Sequence, residues 1–301
     1  MRYYSLNDYC KKTFGEKVYK LSLNGGMTCP NRDGSLSYTG CFYCSEGGSG
    51  DFASDSSLPI AAQLSEARRR LSSKTDCRKL IAYFQAFTNT YAPVEYLEKI
   101  FYEAISDPSV CVLSIGTRTD CFNDEIYDLL SRLNNIKPVW IELGLQSIHQ
   151  STLDAMNTHT KVSDFTVVCN ELNKRSIKVI AHLILGLPGE TKEMMLESVD
   201  FAAKSNIFGI KLQLLHVLRN TKLAELYEKD PFPLFSLEEY CDFIVDCIER
   251  LPPGMVIHRM TGDGPRKLLI APMWSTDKKR VLNTINQNLI KRNTYQGRFF
   301  M

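Results

Sequence analysis

With 301 residues, 44% hydrophobic and 23% charged, the chain reads as a soluble globular protein with length for one large core or two modest ones. Its longest apolar runs, such as VIAHLILGL, are about half the length a membrane span needs, and MRYYSLNDYCKK has no signal-peptide pattern, so no membrane association is expected and the cytoplasm is the default compartment. The formal net charge of +2 hides an asymmetry: residues 255–301 carry nine Lys/Arg against two Asp/Glu, leaving 27 against 32 in residues 1–254.

After an N-terminal segment (1–17), short β-branched or apolar runs alternate with longer amphipathic ones. The expected strands are 18–24, 80–87, 110–116, 139–147, 179–186 and 209–217. Helical patterns lie between them in IAAQLSEARRRL, VEYLEKIFYEAI, DEIYDLLSRLN, VSDFTVVCNELNKR and TKEMMLESVDFAAKS. Such alternation implies a parallel sheet with right-handed crossovers. Six units fall short of the eight that close a standard barrel, so the expected α/β fold is a partial (β/α)6 TIM-like barrel over 18–229. Residues 230–301 read as a small, basic C-terminal α/β extension: a proline-bounded helix, the strand-like MVIHRM, then a terminal basic helix.

The strands have one apolar face and one small or polar face. Val139, Ile141, Leu143 and Leu145 share a side of the fourth, and Glu142, Gly144 and Gln146 the other. Lys20, Ser22 and Asn24 share a face of the first strand, as do Ser114, Gly116 and Arg118 around the third. Strands covered by helices on both faces are almost continuously apolar, so this pattern implies a lined cavity.

Of ten cysteines, only three cluster: Cys29, Cys41 and Cys44, spaced C-x11-C-x2-C in TCPNRDGSLSYTGCFYC. The loop follows the first strand, at the end where α/β folds place their chemistry. Clustered thiols in a reducing compartment indicate a metal or catalysis. A zinc ion needs a fourth ligand, for which Cys10, His149, His159, His182 and His216 are candidates without local spacing. A four-iron cubane held by three thiolates leaves its fourth iron open to a non-protein ligand.

This loop, with Tyr43 just before the last cysteine, resembles that of the radical S-adenosylmethionine (SAM) superfamily. The long form GGMTCPNRDGSLSYTGCFYCSEGGSGDF is similar to the YhcC/YtqA-like branch, relatives of the Elongator catalytic subunit's radical domain. YFQAFTNTYAPVEYLEKIF, LSIGTRTDCF, IELGLQSIHQSTLDAMN, HLILGLPGE, KLQLLHVL and VIHRMTGDGPRKLLIAPMWSTDKKRVL resemble that branch in order, over nearly the whole chain. The resemblance implies a [4Fe–4S] cluster on Cys29, Cys41 and Cys44 and SAM as cofactors, an external electron donor such as flavodoxin or ferredoxin, and a 5′-deoxyadenosyl radical that abstracts hydrogen from substrate.

It also implies a set of SAM-contacting residues. Tyr43 would pack near the adenine. Gln85, Thr88 and Asn89 stand where the superfamily has a glycine-rich segment for the amino group. In GTRTD, Gly116, Thr117 and Arg118 would meet the cofactor, with Arg118 either clamping its carboxylate or bracing Asp120. Glu142 and Gln146 face the cavity, Glu142 suited to ribose hydroxyls or to a cationic partner, and Gly186 and Gly189 permit close backbone approach. His182 and His216 read either as substrate-side groups or as packing residues. The chain departs from the branch at Thr119, where proline is usual, and in MNTHT, which lacks an arginine after the asparagine.

For the substrate, kinship with Elongator implies tRNA, at a wobble uridine. Phosphates would meet Arg259, Arg266, Lys267, Lys278, Lys279, Arg280, Lys291, Arg292 and Arg298. HLILGLPGE and LGLQS also resemble coproporphyrinogen-oxidase relatives, which implies a small-molecule or porphyrin-type substrate instead. The non-enzymatic alternative is a zinc-stapled nucleic-acid-binding or scaffold protein.

Overall fold

A computed structural model describes residues 2–72, 78–262 and 264–300. Cys77, one of the scattered cysteines, lies outside the described residues. The chain begins with α1 (Leu6–Phe14), started by a Ser5–Asp8 capping box and stopped by Gly15 in the left-handed region. Strand and helix then alternate: β1 (Tyr19–Leu23), α2 (Ile60–Ser72), β2 (Leu80–Phe84), α3 (Val94–Ser106), β3 (Val110–Thr117), α4 (Asp124–Asn134), β4 (Val139–Gln146), α5 (Gln150–Ala155), α6 (Val162–Lys174), β5 (Lys178–Leu185), α7 (Lys192–Lys204) and β6 (Gly209–Leu214). There follow β7 (Val217–Leu218), α8 (Lys222–Lys229), α9 (Leu237–Arg250), β8 (Val256–Arg259), β9 (Leu269–Ala271) and α10 (Lys278–Lys291).

Several helices begin at a side-chain cap, while α3, α5 and α6 begin without one. Asn123 accepts from Ile126 N at 2.9 Å, and Ser236 forms a capping box with Glu239. Losing such a cap costs about 1 kcal/mol.

The main sheet is parallel throughout, in the order β1-β2-β3-β4-β5-β6-β8, and curls into an open partial barrel. The α/β partial barrel expected from the sequence is therefore the fold, with one strand more than the six counted. The seventh, β8, comes from the region read as an extension and pairs with β6. β7 and β9 form a separate antiparallel pair.

Alternation along the strands sorts side chains into an outer shell, packed under the helices, and an inner stack of layers. Leu113, Ile141, Leu143, Leu183 and Leu212 belong to the shell and are fully buried. The lowest inner layer is apolar: Ile81, Val112, Trp140 and Ile180, closed from below by Cys10 of α1. Tyr9 of α1 meets Trp140 and Phe208 edge-on, at centroid distances of 5.8 and 4.8 Å, and accepts a 2.6 Å hydrogen bond from Lys178 Nζ. The N-terminal segment thus stoppers the amino ends of the strands. Two residues further along each strand the lining turns polar: Lys20, Tyr83, Ser114, Glu142, His182 and Lys211.

On the outside, α9 buries Tyr240, Cys241, Ile244 and Ile248, and α10 covers it with Val281, Ile285 and Leu289. Each such aliphatic side chain contributes about 1.5–3 kcal/mol when fully buried, so an aspartate at Ile285 would detach α10. Among the described residues no helix is long and apolar enough to cross a membrane.

Candidate functional site

A cavity of about 250 Å³ opens at the carboxyl ends of the strands, and Cys29, Cys41 and Cys44 lie in its lining. The loop after β1 is held by its own backbone. Cys29 O accepts from Arg32 N at 2.8 Å, Asn31 O from Gly40 N at 2.7 Å, and Cys41 O from Cys44 N at 3.0 Å. Gly40 sits at φ 73°, and a Cβ there would lie 2.8 Å from Arg32 Nε, so both conformation and space require glycine. Arg32 donates in turn to Cys44 O at 3.1 Å and Ser45 O at 2.6 Å.

Buried Asn31 ties the loop to the barrel. Its Nδ2 donates to Asn157 O at 2.6 Å and approaches Cys41 Sγ at 3.4 Å. Asn157 returns its own Nδ2 to Gly40 O at 2.8 Å, while Phe42 exchanges backbone hydrogen bonds with Met156 and Leu223. The asparagine of MNTHT, Asn157, therefore supplies the loop's anchor, and Thr158 and Thr160 after it join the cavity wall.

The thiols are electrostatically unequal. A hydrogen bond from Cys44, then the Arg118 cation and the Asn31 amide, hold Cys41 down to about 6 against its burial. The same hydrogen bond, followed by burial, pushes Cys44 well up, so the pair readily gives up its first proton and holds the second. Tyr43 is raised by burial and then by Cys41 and Cys44.

Of the residues named from the sequence, Cys29, Cys41, Cys44, Tyr43, Gln85, Thr88, Gly116, Thr117, Arg118, Glu142 and Gln146 line the cavity. Several already have protein partners. Gln85 bridges Ser22 Oγ and Ser49 O, at 3.1 and 2.7 Å. Arg118 forks onto Asp120 at 2.8 and 2.7 Å, the bracing alternative. Thr117 meets Thr90 at 2.6 Å. Gln146 stands apart: it adopts φ 64°, and its buried Oε1 has no partner.

Asn89, Gly186 and Gly189 lie outside the lining. Asn89 Nδ2 donates to Phe84 O at 3.2 Å and Gly116 O at 2.8 Å, pinning β2 to β3. Gly186, at φ 92°, faces Phe235, and Gly189 sits in an open turn.

The floor is the polar layer centred on Glu142, which is almost wholly buried. Its Oε1 accepts from Lys20 and from Ser114 Oγ, the latter at 2.6 Å; its Oε2 accepts from Lys211 and meets His182 Nε2 at 2.8 Å. Both oxygens are engaged by protein groups, with Lys20 and Lys211 as the cationic partners. Burial alone would raise this carboxyl, but Lys20 and then Lys211 outweigh it and hold it well below the usual range. His182 is pushed down to about 4, first by burial and then by Lys211, against the pull of Glu142, so it is neutral at pH 7.

Sequence reasoning missed Lys211 and Arg259 as cavity residues. Lys211 was legible, alternating with Gln213 on one face of its strand. Arg259 was placed among the phosphate-binding residues of the C-terminal region, yet it lines the cavity. A bulge in the β6–β8 pairing, which sets Lys211 opposite Arg259 rather than His258, turns it inward. Arg292, also in that group, is bound to Asp242, Asp246 and Glu249 at 3.2, 2.6 and 2.8 Å.

Of the candidate fourth ligands for a single zinc, His216 lines the cavity with the cysteines, and the others are engaged elsewhere, His182 by Glu142. Cys10 is in the stopper, His149 Nε2 meets Met194 O at 2.9 Å, and His159 Nε2 meets Asn157 at 2.9 Å. Among the described residues no three His, Cys, Asp or Glu side chains are grouped for one metal ion. Three thiols in the lining of one cavity suit a multi-iron cluster, which takes each thiolate at a separate iron.

Comparison with known proteins gives two family matches: the model described as "Radical SAM superfamily" covers residues 28–202, and "Radical_SAM C-terminal domain" covers 207–291. "Uncharacterized protein YtqA" of Bacillus subtilis is 42% identical over 299 residues, 99% of this chain and 93% of that protein. "tRNA uridine(34) acetyltransferase" of Methanocaldococcus jannaschii is 26% identical over 169 residues, 53% of this chain and 30% of that one. Among solved structures, Methanocaldococcus infernus Elp3 lacking its N-terminus superposes with a TM-score of 0.70 at 16% identity, over 93% of this chain and 64% of that chain.

Proposed function

The chain belongs to the radical SAM superfamily, a family that uses a [4Fe–4S] cluster and SAM, and from that premise we propose that it modifies a wobble uridine in tRNA. The observation that carries the enzymatic reading is the trio Cys29, Cys41 and Cys44 in the lining of a cavity that Arg118, Glu142, Gln146 and Lys211 also line. When bound, cluster and SAM supply a one-electron cleavage that yields a 5′-deoxyadenosyl radical, which takes a hydrogen atom from substrate. An external reductant is required, and flavodoxin or ferredoxin suits that role.

The chain's own residues provide the rest. The three thiols would hold the cluster, with Asn31 and Arg32 keeping the loop in shape. Tyr43, Gly116, Thr117 and the Gln146 oxygen would meet SAM, with Gln85 and Thr88 on the same wall. The Arg118–Asp120 fork keeps a cation beside the thiolates. Below, the apolar layer and α1 close the amino end, so reactants enter from the cysteine side and water is kept from beneath the reaction.

The tRNA reading draws on the relative named as a tRNA uridine(34) acetyltransferase. It also draws on exposed Arg266, Lys267, Lys278, Lys279 and Lys291, which suit phosphate contacts. The test compares nucleosides of tRNA from cells with and without the gene. Loss or gain of one wobble-position uridine derivative supports the reading; identical profiles favour a small-molecule substrate.

A further inference from the structure

Beneath the cysteines, the layer around Glu142 contains a side chain whose second polar atom the protein leaves to the cavity. His182 sits on β5 with 15% of its side chain exposed, lines the cavity, and meets Glu142 Oε2 at 2.8 Å through Nε2. Glu142 is kept a carboxylate by Lys20 and Lys211, so it can only accept, and Nε2 must carry the proton. His182 is neutral at pH 7, and a neutral imidazole has a single N–H, which fixes Nδ1 as an acceptor. Among the described residues no group bonds Nδ1. Unlike the nitrogens of His258 it is not sealed from solvent, so it faces the cavity. Across the sheet its neighbour is Gly144, the position between Glu142 and Gln146 with no side chain to cover the ring.

Lys211 stands beside this acceptor, because its Nζ reaches the same Glu142 oxygen. As an ammonium it has three donors. One goes to Glu142 and a second to Tyr83 OH at 3.2 Å, which leaves one for a ligand. Donor and acceptor are thus neighbours at the bottom of the cavity. Their complement is a group that shows a carbonyl and an N–H on one edge, as an amide does when it is part of a ring.

We propose that His182 sets substrate specificity: its Nδ1 accepts from a ring N–H of the substrate while Lys211 donates to the adjoining carbonyl, an edge that the imide of uracil presents. Naming uracil rests on the tRNA reading; the cyclic-amide edge does not. When the substrate's N–H is missing, the acceptor is left buried and unpaired, so the site rejects such an analogue.

The test uses cluster-loaded protein, kept anaerobic and given no reductant, so that binding is read without turnover. Two synthetic anticodon stem-loops, with uridine or 3-methyluridine at the wobble position, are titrated by fluorescence anisotropy, and the two free nucleosides by NMR. The wild type should bind the uridine member of each pair at least about tenfold more tightly. His182→Gln, which can keep an N–H toward Glu142 but has no acceptor in place of Nδ1, should bind both alike. His182→Asn, whose oxygen can stand where Nδ1 stood, should keep a preference for uridine. Equal binding of both members by the wild type, a preference that survives His182→Gln, or one lost equally in His182→Asn overturns the assignment, the last because bulk would then be at work. If His182→Asn does not fold, His182→Gln decides alone. Stem-loops that bind without discrimination strike the His182 site and leave the tRNA reading. Stem-loops that do not bind, beside free uridine that binds with the His182-dependent preference, do the reverse. Binding of none of the four ligands overturns both.

Discussion

Replacing Glu142 by glutamine keeps the shape of the floor and removes its negative charge. Ser114 and His182 can still hydrogen-bond the amide, but Lys20 and Lys211 lose their counter-ion. Lys211 is almost fully buried, with 5% of its side chain exposed, and Lys20 has 20% exposed, so the loss falls mainly on Lys211. Breaking a buried ion pair from one side costs about 3–5 kcal/mol. At roughly 2–4 °C per kcal/mol for a large domain, the melting midpoint should fall by about 10 °C near pH 6. The deficit should then shrink with rising pH. Lys211 already titrates near 7 in the folded protein, against about 10.4 unfolded, and without Glu142 it sheds its proton still more readily. By pH 9 it is neutral in the variant and no longer strands a charge. Calorimetry of both proteins between pH 6 and 9 measures this directly. A deficit under about 2 °C at pH 6, or one that grows as pH rises, would refute the assignment of Glu142 as the floor's counter-ion. In Glu142→Gln/Lys211→Met the second change should recover a good part of the loss, because the orphaned charge is gone.

Three further outcomes are expected. Glu142 is held below the ordinary carboxylate range and His182 at about 4, so between pH 6.5 and 4 the unfolded chain binds more protons at His182, and below about 4.5 at Glu142. Stability should therefore fall progressively as pH drops from 6.5, and His182→Gln should flatten the fall between 6.5 and 4 in pH-dependent urea melts. Asn157→Ala removes the amide that holds Gly40 O and should lower iron content on reconstitution several-fold while costing about 1–3 kcal/mol in stability, read by iron analysis and denaturant melts. Charge reversal at Lys278, Lys279 and Lys291 should weaken a gel shift with bulk tRNA and flatten its salt dependence with no change in melting midpoint. Substitutions serve here where deletion of α10 would uncover Cys241, whose Sγ meets Val281 O at 3.6 Å.

The barrel was legible because its evidence is local. Period-two alternation in 139–147 separates Leu143 from Glu142 in the sequence as it does in the sheet, and α4 and α7 between strands start at the caps Asn123 and Thr191. The cysteine rim was legible for the same reason, since its three thiols sit within sixteen residues of chain. What escaped depends on partners far apart. Lys20 and Glu142 are 122 positions apart and become a pair only when β1 and β4 face the same interior. Arg259 read as a phosphate ligand because a bulge, invisible in VIHRM, decides which way it points. Arg292 counted toward a basic surface until α9 supplied three carboxylates beside it. Asn157 stood in the singled-out MNTHT segment, but its role was not legible there, since it holds a loop more than a hundred residues earlier.

The most direct test of the cysteine rim is anaerobic reconstitution with iron and sulfide, followed by reductant and SAM. The wild type should turn brown and release 5′-deoxyadenosine, and Cys29→Ala, Cys41→Ala and Cys44→Ala should each lose both, whereas Cys10→Ala and Cys121→Ala should keep them. A colourless protein that holds one zinc ion and forms no 5′-deoxyadenosine would contradict the account.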